Sequence, residues 1–368
     1  MKMKAKAAVF MGANIPFAVR EFEVGQPPEG YGQLELVASG LCGTDVHIYR
    51  GKLSVNAPAI IGHEFVGRIT AARESEAAAL GLKIGDAVIA DIAVPCGQCM
   101  LCKSGDDANC VNMRVTNGGN VEEAPHFWGG YGEVNFTPLA NLVKVPETVD
   151  PAVAATFACP GPTVVHAVSL ARRGGVRIEE CKVAVVQGLG PVGIFAVLYL
   201  KKLGVEKVYA VTATEKPERE ALVKELGADR VFCLEREGEA EVTALLQQEN
   251  GGLGADLCLE ASGAPTAVCQ GIAVLRNRGV YLIPGQYSNS GGITVEPQML
   301  TFKALQILGS SQYSMCDVKA YLDFLEANPQ IHGTIAKLAS RYTIAQVNEA
   351  FEKAQKGCHI KALFVKED

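Results

Sequence analysis

The chain has 368 residues, enough for two domains with sizeable cores at about 150 residues each. Its net charge of -6 offers no surplus of Lys and Arg for phosphate backbones, which sets nucleic-acid binding aside. The amino terminus, MKMKAKAAVF, lacks the apolar core and cleavage site of a secretory signal, and no uninterrupted apolar run reaches the roughly 20 residues of a membrane span. A cytoplasmic chain is expected, and in a reducing compartment its twelve cysteines read more naturally as metal ligands than as disulfides.

The first 150 or so residues carry short apolar runs separated by Gly, Pro and Asp: GQLELVASG, EFVGRIT, GDAVIADIAV, YGEVNFTP and NLVKVPE. Runs of that length bounded by turn residues predict an irregular β-rich region. Beyond Asp150 the pattern changes. VAVVQ leads through a glycine turn into GIFAVLYLKKLG, whose apolar residues recur at helical spacing. The theme repeats in KVYAVTA and PEREALVKELGA, DRVFCL and AEVTALLQQE, ADLCLEASG and PTAVCQGIAVLR, then RGVYLIPG. Strands alternating with helices predict an α/β fold with a doubly wound parallel sheet over residues 160–310. Residues 1–159 and 311–368, ending in the strand-like KALFVKE, form the other domain.

The turn itself reads Gly188-Leu-Gly190-Pro191-Val192-Gly193. Between a strand and a helix, GxGxxG is a dinucleotide fingerprint: Gly188 permits the tight turn, Gly190 lets backbone approach a pyrophosphate, and Gly193 allows close helix packing. The helix N-terminus, at Pro191 and Val192, then faces the phosphates. An acidic residue ending the second strand would mark NAD, but Thr212 stands there. A 2'-phosphate is therefore not repelled, and Lys216 or Arg219 is placed to pair with it; each also fits a solvated helix position. NAD and NADP both stay open.

Cys96, Cys99, Cys102 and Cys110 are spaced C-x2-C-x2-C-x7-C. Four thiolates satisfy the tetrahedral preference of zinc and leave no position for water or substrate, so the expected role is structural. An iron-sulfur cluster and four inert thiols are the competing readings.

A second set is scattered: Cys42, Thr44, Asp45 and His47 in GLCGTDVH, His63 and Glu64 in GHEFVG, and Cys159 in FACPGP. Their spacing alone does not join them. Together with the GDAV strand, the four-cysteine lobe and GLGPVG, they make the whole chain resemble the zinc-dependent medium-chain alcohol dehydrogenases. That resemblance implies a GroES-like β-rich catalytic domain, a Rossmann domain and an active site in the cleft between them. It makes Cys42, His63 and Cys159 ligands of a catalytic zinc, the second of two per chain. It assigns a proton relay to Thr44 and His47, the orientation of His63 to Asp45, a carboxylate behind the metal to Glu64, and a pyrophosphate contact to Lys361.

Zinc in such a site would acidify an alcohol, whose hydride passes to NAD or NADP. Ile92 matches a position lining the substrate cleft, and Phe127 and Trp128 would add an aromatic wall, although Trp128 also fits core packing. His126 and His166 are expected to be ordinary structural histidines. Relatives acting on polyols often carry Glu in the region of Cys159, which tilts the expectation towards an alcohol yielding an aldehyde or ketone. A polyol, sugar-alcohol or threonine-like substrate is the alternative, and a non-catalytic zinc and nucleotide-binding protein the more distant one. Dimers or tetramers of identical chains are expected.

Overall fold

The computed structural model describes residues 3–367. Two compact units emerge: Met1–Pro162 with Gln312–Asp368, and Thr163–Ser311.

In the second unit, Val183–Gln187 and Ala255–Glu260 are buried at every position, as strands covered on both faces must be. The helices that follow begin at Pro191, Pro217 and Pro265, where the missing proline N–H costs nothing because first-turn donors are unpaired anyway. The result is a six-stranded sheet with every neighbour parallel, in the spatial order Arg230–Cys233, Lys207–Thr212, Val183–Gln187, Ala255–Glu260, Leu275–Ile283, Gln306–Gly309. Chain order reverses between the third and fourth of these, and that crevice is where sheets of this kind bind ligands. The glycine turn leaves Val183–Gln187 at that point.

The first unit is built around the long strand Tyr31–Leu41, antiparallel to Phe65–Ala71, Val134–Pro138 and Lys361–Val365. Ala362 pairs with Leu41 and Phe65 with Ser39, so Lys361, Cys42 and Glu64 converge at one end of adjacent strands. Beneath lies an aromatic core. Tyr131 packs against Phe364 at 4.9 Å, Phe351 at 5.9 Å and Phe17 at 6.3 Å between ring centroids. Each such ring, fully buried, contributes roughly 1.5–3 kcal/mol of transfer free energy.

Phe127 belongs to this core, with no exposed surface, and Trp128 packs against it with its ring 5.9 Å from Tyr31. The aromatic wall expected from these two residues is thus interior packing. Among the described residues, no helix is long and apolar enough to cross a membrane.

Candidate active site

Cys42 is the N-cap of the short helix Gly43–Tyr49, and Asp45 serves two purposes at once. Its Oδ2 accepts from the Cys42 N–H at 2.9 Å and from the Tyr131 hydroxyl at 2.7 Å, while Oδ1 lies 3.3 Å from His63 Nδ1. Asp45 is completely buried. A carboxylate so fixed leaves the other nitrogen of His63 free to ligate and sets its tautomer. The aromatic core therefore reaches the ligand set through one hydroxyl. Thr44 Oγ1 lies 3.7 Å from Cys42 Sγ.

Cys42, the adjacent His63 and Glu64, and Cys159, brought together from three places in the first unit, offer ligand atoms all within 4.8 Å of one another. Their electrostatics fit a divalent cation. A hydrogen bond from Cys159 holds the Cys42 thiol well below its ordinary value, against burial. The same bond, with burial, pushes Cys159 well above its own. A single shared proton between the two sulfurs would account for these opposite directions. Burial opposes the charged form of His63, yet Asp45 and Cys42 outweigh it and raise that imidazole. Buried charge of this kind is resolved by pairing or by a metal, and a dication can take the place of the shared proton. The set fits zinc, with two sulfurs and a nitrogen as ligands and the Glu64 carboxylate close by.

Lys361 departs from its expected place at a pyrophosphate. It is 1% exposed, and its ammonium pairs with Glu64 Oε2. Burial pushes the Glu64 carboxyl up, to about 7, against the pull of Lys361. The pair fits only because residue 40 is glycine: a Cβ there would lie 1.7 Å from Glu64 Oε2 and 2.9 Å from Lys361 Cε. An ammonium engaged inside the fold is not presented to a phosphate.

His47 lies half-buried on the same short helix. Burial, then Lys52 and Arg50, lower its pKa despite the Cys42 charge, so it stays neutral near pH 7 and can accept a proton. Ile92 is partly exposed. His126 donates from Nδ1 to the Val121 carbonyl at 2.9 Å and stacks on Phe22, and His166 is buried; both are structural in placement.

The four-cysteine lobe has a different character. Cys99 Sγ lies 3.5 Å from Cys102 Sγ and 3.9 Å from Cys110 Sγ, and all four sulfurs fall within 4.8 Å of one another. A tetrahedron of sulfurs at the Zn–S distance of about 2.3 Å has edges of about 3.8 Å. A disulfide would need about 2.05 Å. Cys96 is pulled down to about 6 by backbone N–H groups of Gln98 and Cys99, and Cys102 is pushed up to about 12 by desolvation. The lobe fits a four-thiolate metal.

In the second unit, Gly188 has φ +97°, and a Cβ there would lie 2.7 Å from Ser262 Cα. One at Gly193 would meet the Gly188 carbonyl at 1.9 Å, whereas nothing lies within 4 Å of a Cβ at Gly190. Thr212 is buried, its hydroxyl donating to the Thr214 carbonyl at 2.9 Å. Lys216 is exposed at the N-cap of Pro217–Glu225, and Arg219 reaches the turn itself, donating to the Leu189 carbonyl at 3.1 Å. Sequence reasoning gave no role to Gly40, Tyr131 or Glu260; a tyrosine among glycines in GGYGE was the one available signal.

Geometry of this kind defines a metal-assisted, dinucleotide-type oxidoreductase, and comparison with known proteins agrees. Residues 29–147 match the alcohol dehydrogenase GroES-like domain, and residues 191–327 the zinc-binding dehydrogenase family. Over 368 residues the chain is 30% identical to 5-exo-hydroxycamphor dehydrogenase of Pseudomonas putida, covering 97% of both chains. It is 29% identical to L-threonine 3-dehydrogenase of Bacillus subtilis, over 87% of this chain and 85% of the other. A crystal structure of an alcohol dehydrogenase from Thermotoga maritima superposes with a TM-score of 0.90 at 28% identity, over 99% of this chain and 100% of the other.

The chain belongs to the zinc-dependent medium-chain alcohol dehydrogenases. It is an NAD(P)-dependent oxidoreductase acting on small-molecule alcohols.

Proposed function

We propose that the enzyme interconverts a small or medium alcohol with its aldehyde or ketone, using two zincs per chain, one held by Cys42, His63 and Cys159 and the other by Cys96, Cys99, Cys102 and Cys110. The observation that carries the reading is the buried Cys42, His63, Glu64 and Cys159 group with Asp45 behind His63. Residues 160–310 carry the cofactor, and residues 1–159 with 311–368 carry the metals. When bound, the ion supplies Lewis acidity and the dinucleotide a hydride acceptor.

The chain's own residues do the rest. Asp45 holds the His63 ring, and Tyr131 and the Cys42 N–H hold Asp45. The Thr44 hydroxyl, able to accept and donate, takes the alcohol proton, and neutral His47 receives it. Glu64, clamped by Lys361, places a negative charge beside the two sulfurs and moderates the positive charge of the site. Gly188, Gly190, Pro191, Val192 and Gly193 cradle the pyrophosphate, and Thr212, with Lys216 nearby, lies where the adenosine ribose binds.

The cofactor is NAD or NADP, since Thr212 supplies no carboxylate to repel a 2'-phosphate. The enzyme acts in the cytoplasm as a homo-oligomer. A polyol or a threonine-like hydroxy acid is the second reading, favoured by the 29% identity to the threonine enzyme. Metal analysis together with NADH and NADPH oxidation across aldehydes, ketones and the keto forms of polyols tests all of this. Two zincs and turnover of simple carbonyls support the proposal. Full activity with one zinc removes the mechanism, and turnover confined to polyols removes the substrate class.

A further inference from the structure

At the C-terminal ends of three central strands of the second unit sits a completely buried carboxylate, Glu260. Parallel pairing sets it beside Gln187, the residue before the glycine turn. Its Oε1 accepts from the Ser262 N–H at 2.6 Å, the Ser262 hydroxyl at 2.5 Å and the Gly263 N–H at 2.8 Å. Its Oε2 accepts from Gln286 Nε2 at 3.1 Å, and its carbonyl from the Gly285 N–H at 3.0 Å. Gln286 also donates to the Ala264 carbonyl at 3.1 Å.

One side chain therefore ties the 261–264 loop to the 285–286 loop. The first of these loops is the wall against which the glycine turn closes. Ser262 Cα lies 2.7 Å from where a Cβ on Gly188 would be, Ala261 Cβ lies 3.6 Å from one on Gly193, and the Ala261 N–H donates to the Gln187 carbonyl at 2.8 Å. Layers below it are equally fixed, with the Gln187 amide donating to the Ala267 carbonyl at 2.8 Å and accepting from the Tyr281 hydroxyl at 2.8 Å.

We propose that Glu260 is a positioning residue for the dinucleotide turn: by gathering the Ser262 and Gly263 donors it fixes the wall behind Gly188, and cofactor affinity depends on it. The inference rests on the reading of that turn as the cofactor site. Charge and geometry oppose each other here, which makes the role testable. By Coulomb's law alone, neutralising a carboxylate near a phosphate site strengthens anion binding. Loss of the clamp weakens it, because backbone donors aimed at the pyrophosphate lose their fixed direction.

The experiment titrates NADH, NADPH and ADP into the zinc-loaded wild-type enzyme and its Glu260→Gln and Ser262→Ala variants, with zinc content and melting temperature measured alongside. Glu260→Gln is expected to weaken binding of the preferred dinucleotide and of ADP about tenfold, raising the cofactor KM while kcat changes less than about twofold. Ser262→Ala, which removes the hydroxyl bond to Glu260 and the acceptor of the Ala264 N–H at 3.1 Å but leaves both backbone donors to the carboxylate, is expected to weaken binding about threefold and serves alone if Glu260→Gln does not fold. Wild-type affinity in the folded variants, or tighter binding by Glu260→Gln, overturns the positioning role. Failure of the wild-type enzyme to bind either dinucleotide overturns the cofactor site itself, and the inference with it.

Discussion

Two cysteine-rich groups in one unit have the same sulfur chemistry and opposite surroundings. Cys96, Cys99, Cys102 and Cys110 lie within one short stretch of chain, and their hydrogen bonds come from the lobe itself, such as the Cys96 N–H to Cys110 Sγ at 3.2 Å. Cys42, His63 and Cys159 come from separate elements and are backed by Asp45, Tyr131, Glu64 and Lys361, every one of them buried. A contiguous group closes its own coordination sphere and stiffens a loop. A dispersed group keeps its geometry only because strand register and core packing impose it, and it gains acid–base neighbours on the way.

The sharpest break of this contrast is Cys42→Ser or His63→Ala, expected to lower turnover by roughly a thousandfold or more, since the metal's charge stabilisation amounts to several kcal/mol. Zinc analysis should fall from two per chain to one. Gly40→Ala should come close to this without touching a ligand, because its Cβ would displace the Glu64–Lys361 pair. Retention of the second zinc and of activity in that variant would mean that the pair is no part of the site's support.

Cys102→Ser probes the other group. Its melting temperature should drop by several degrees or more, while kcat of the folded fraction stays within about tenfold of wild type. Tyr131→Phe should have a smaller effect: Asp45 Oδ2 loses one of its donors, at a cost of about 1–3 kcal/mol, and metal affinity should fall roughly tenfold by equilibrium dialysis.

The change with the least expected effect on turnover, one read in stability alone, lies on the strand end that leads into the lobe. Asp91 is 2% exposed, its Oδ1 accepts from the Ala93 N–H at 3.0 Å, and Oδ2 has no hydrogen-bond partner. Burial raises its carboxyl from 3.8 to about 7. The folded chain thus binds a proton that the unfolded chain releases, so this stabilising contribution is complete below about pH 4 and lost as pH rises through about 7. Relative to wild type, Asp91→Asn should gain about 2–3 kcal/mol of stability between about pH 5 and pH 8, as read by denaturant titration. A constant difference across that range would show that Asp91 is ionised in the fold.

Periodicity marked the strands of the second unit well, because buried parallel strands are apolar at every position and their helices begin at proline. The thiolate lobe was equally legible, since spacing along the chain is also spacing in space. The dispersed site was legible only through resemblance. Its supporting contacts depend on register, which places Ala362 opposite Leu41 and so carries Lys361 to Glu64, and no local pattern encodes that pairing. Phe127 was misjudged for a related reason: an aromatic residue in a glycine-rich loop looks open until the strands fold over it.

The bond from Arg219 to the Leu189 carbonyl joins the helix after the second strand to the crest of the glycine turn. In this enzyme the guanidinium is a strut as well as a charge, so exchanging it would loosen the shape of the turn along with the local potential.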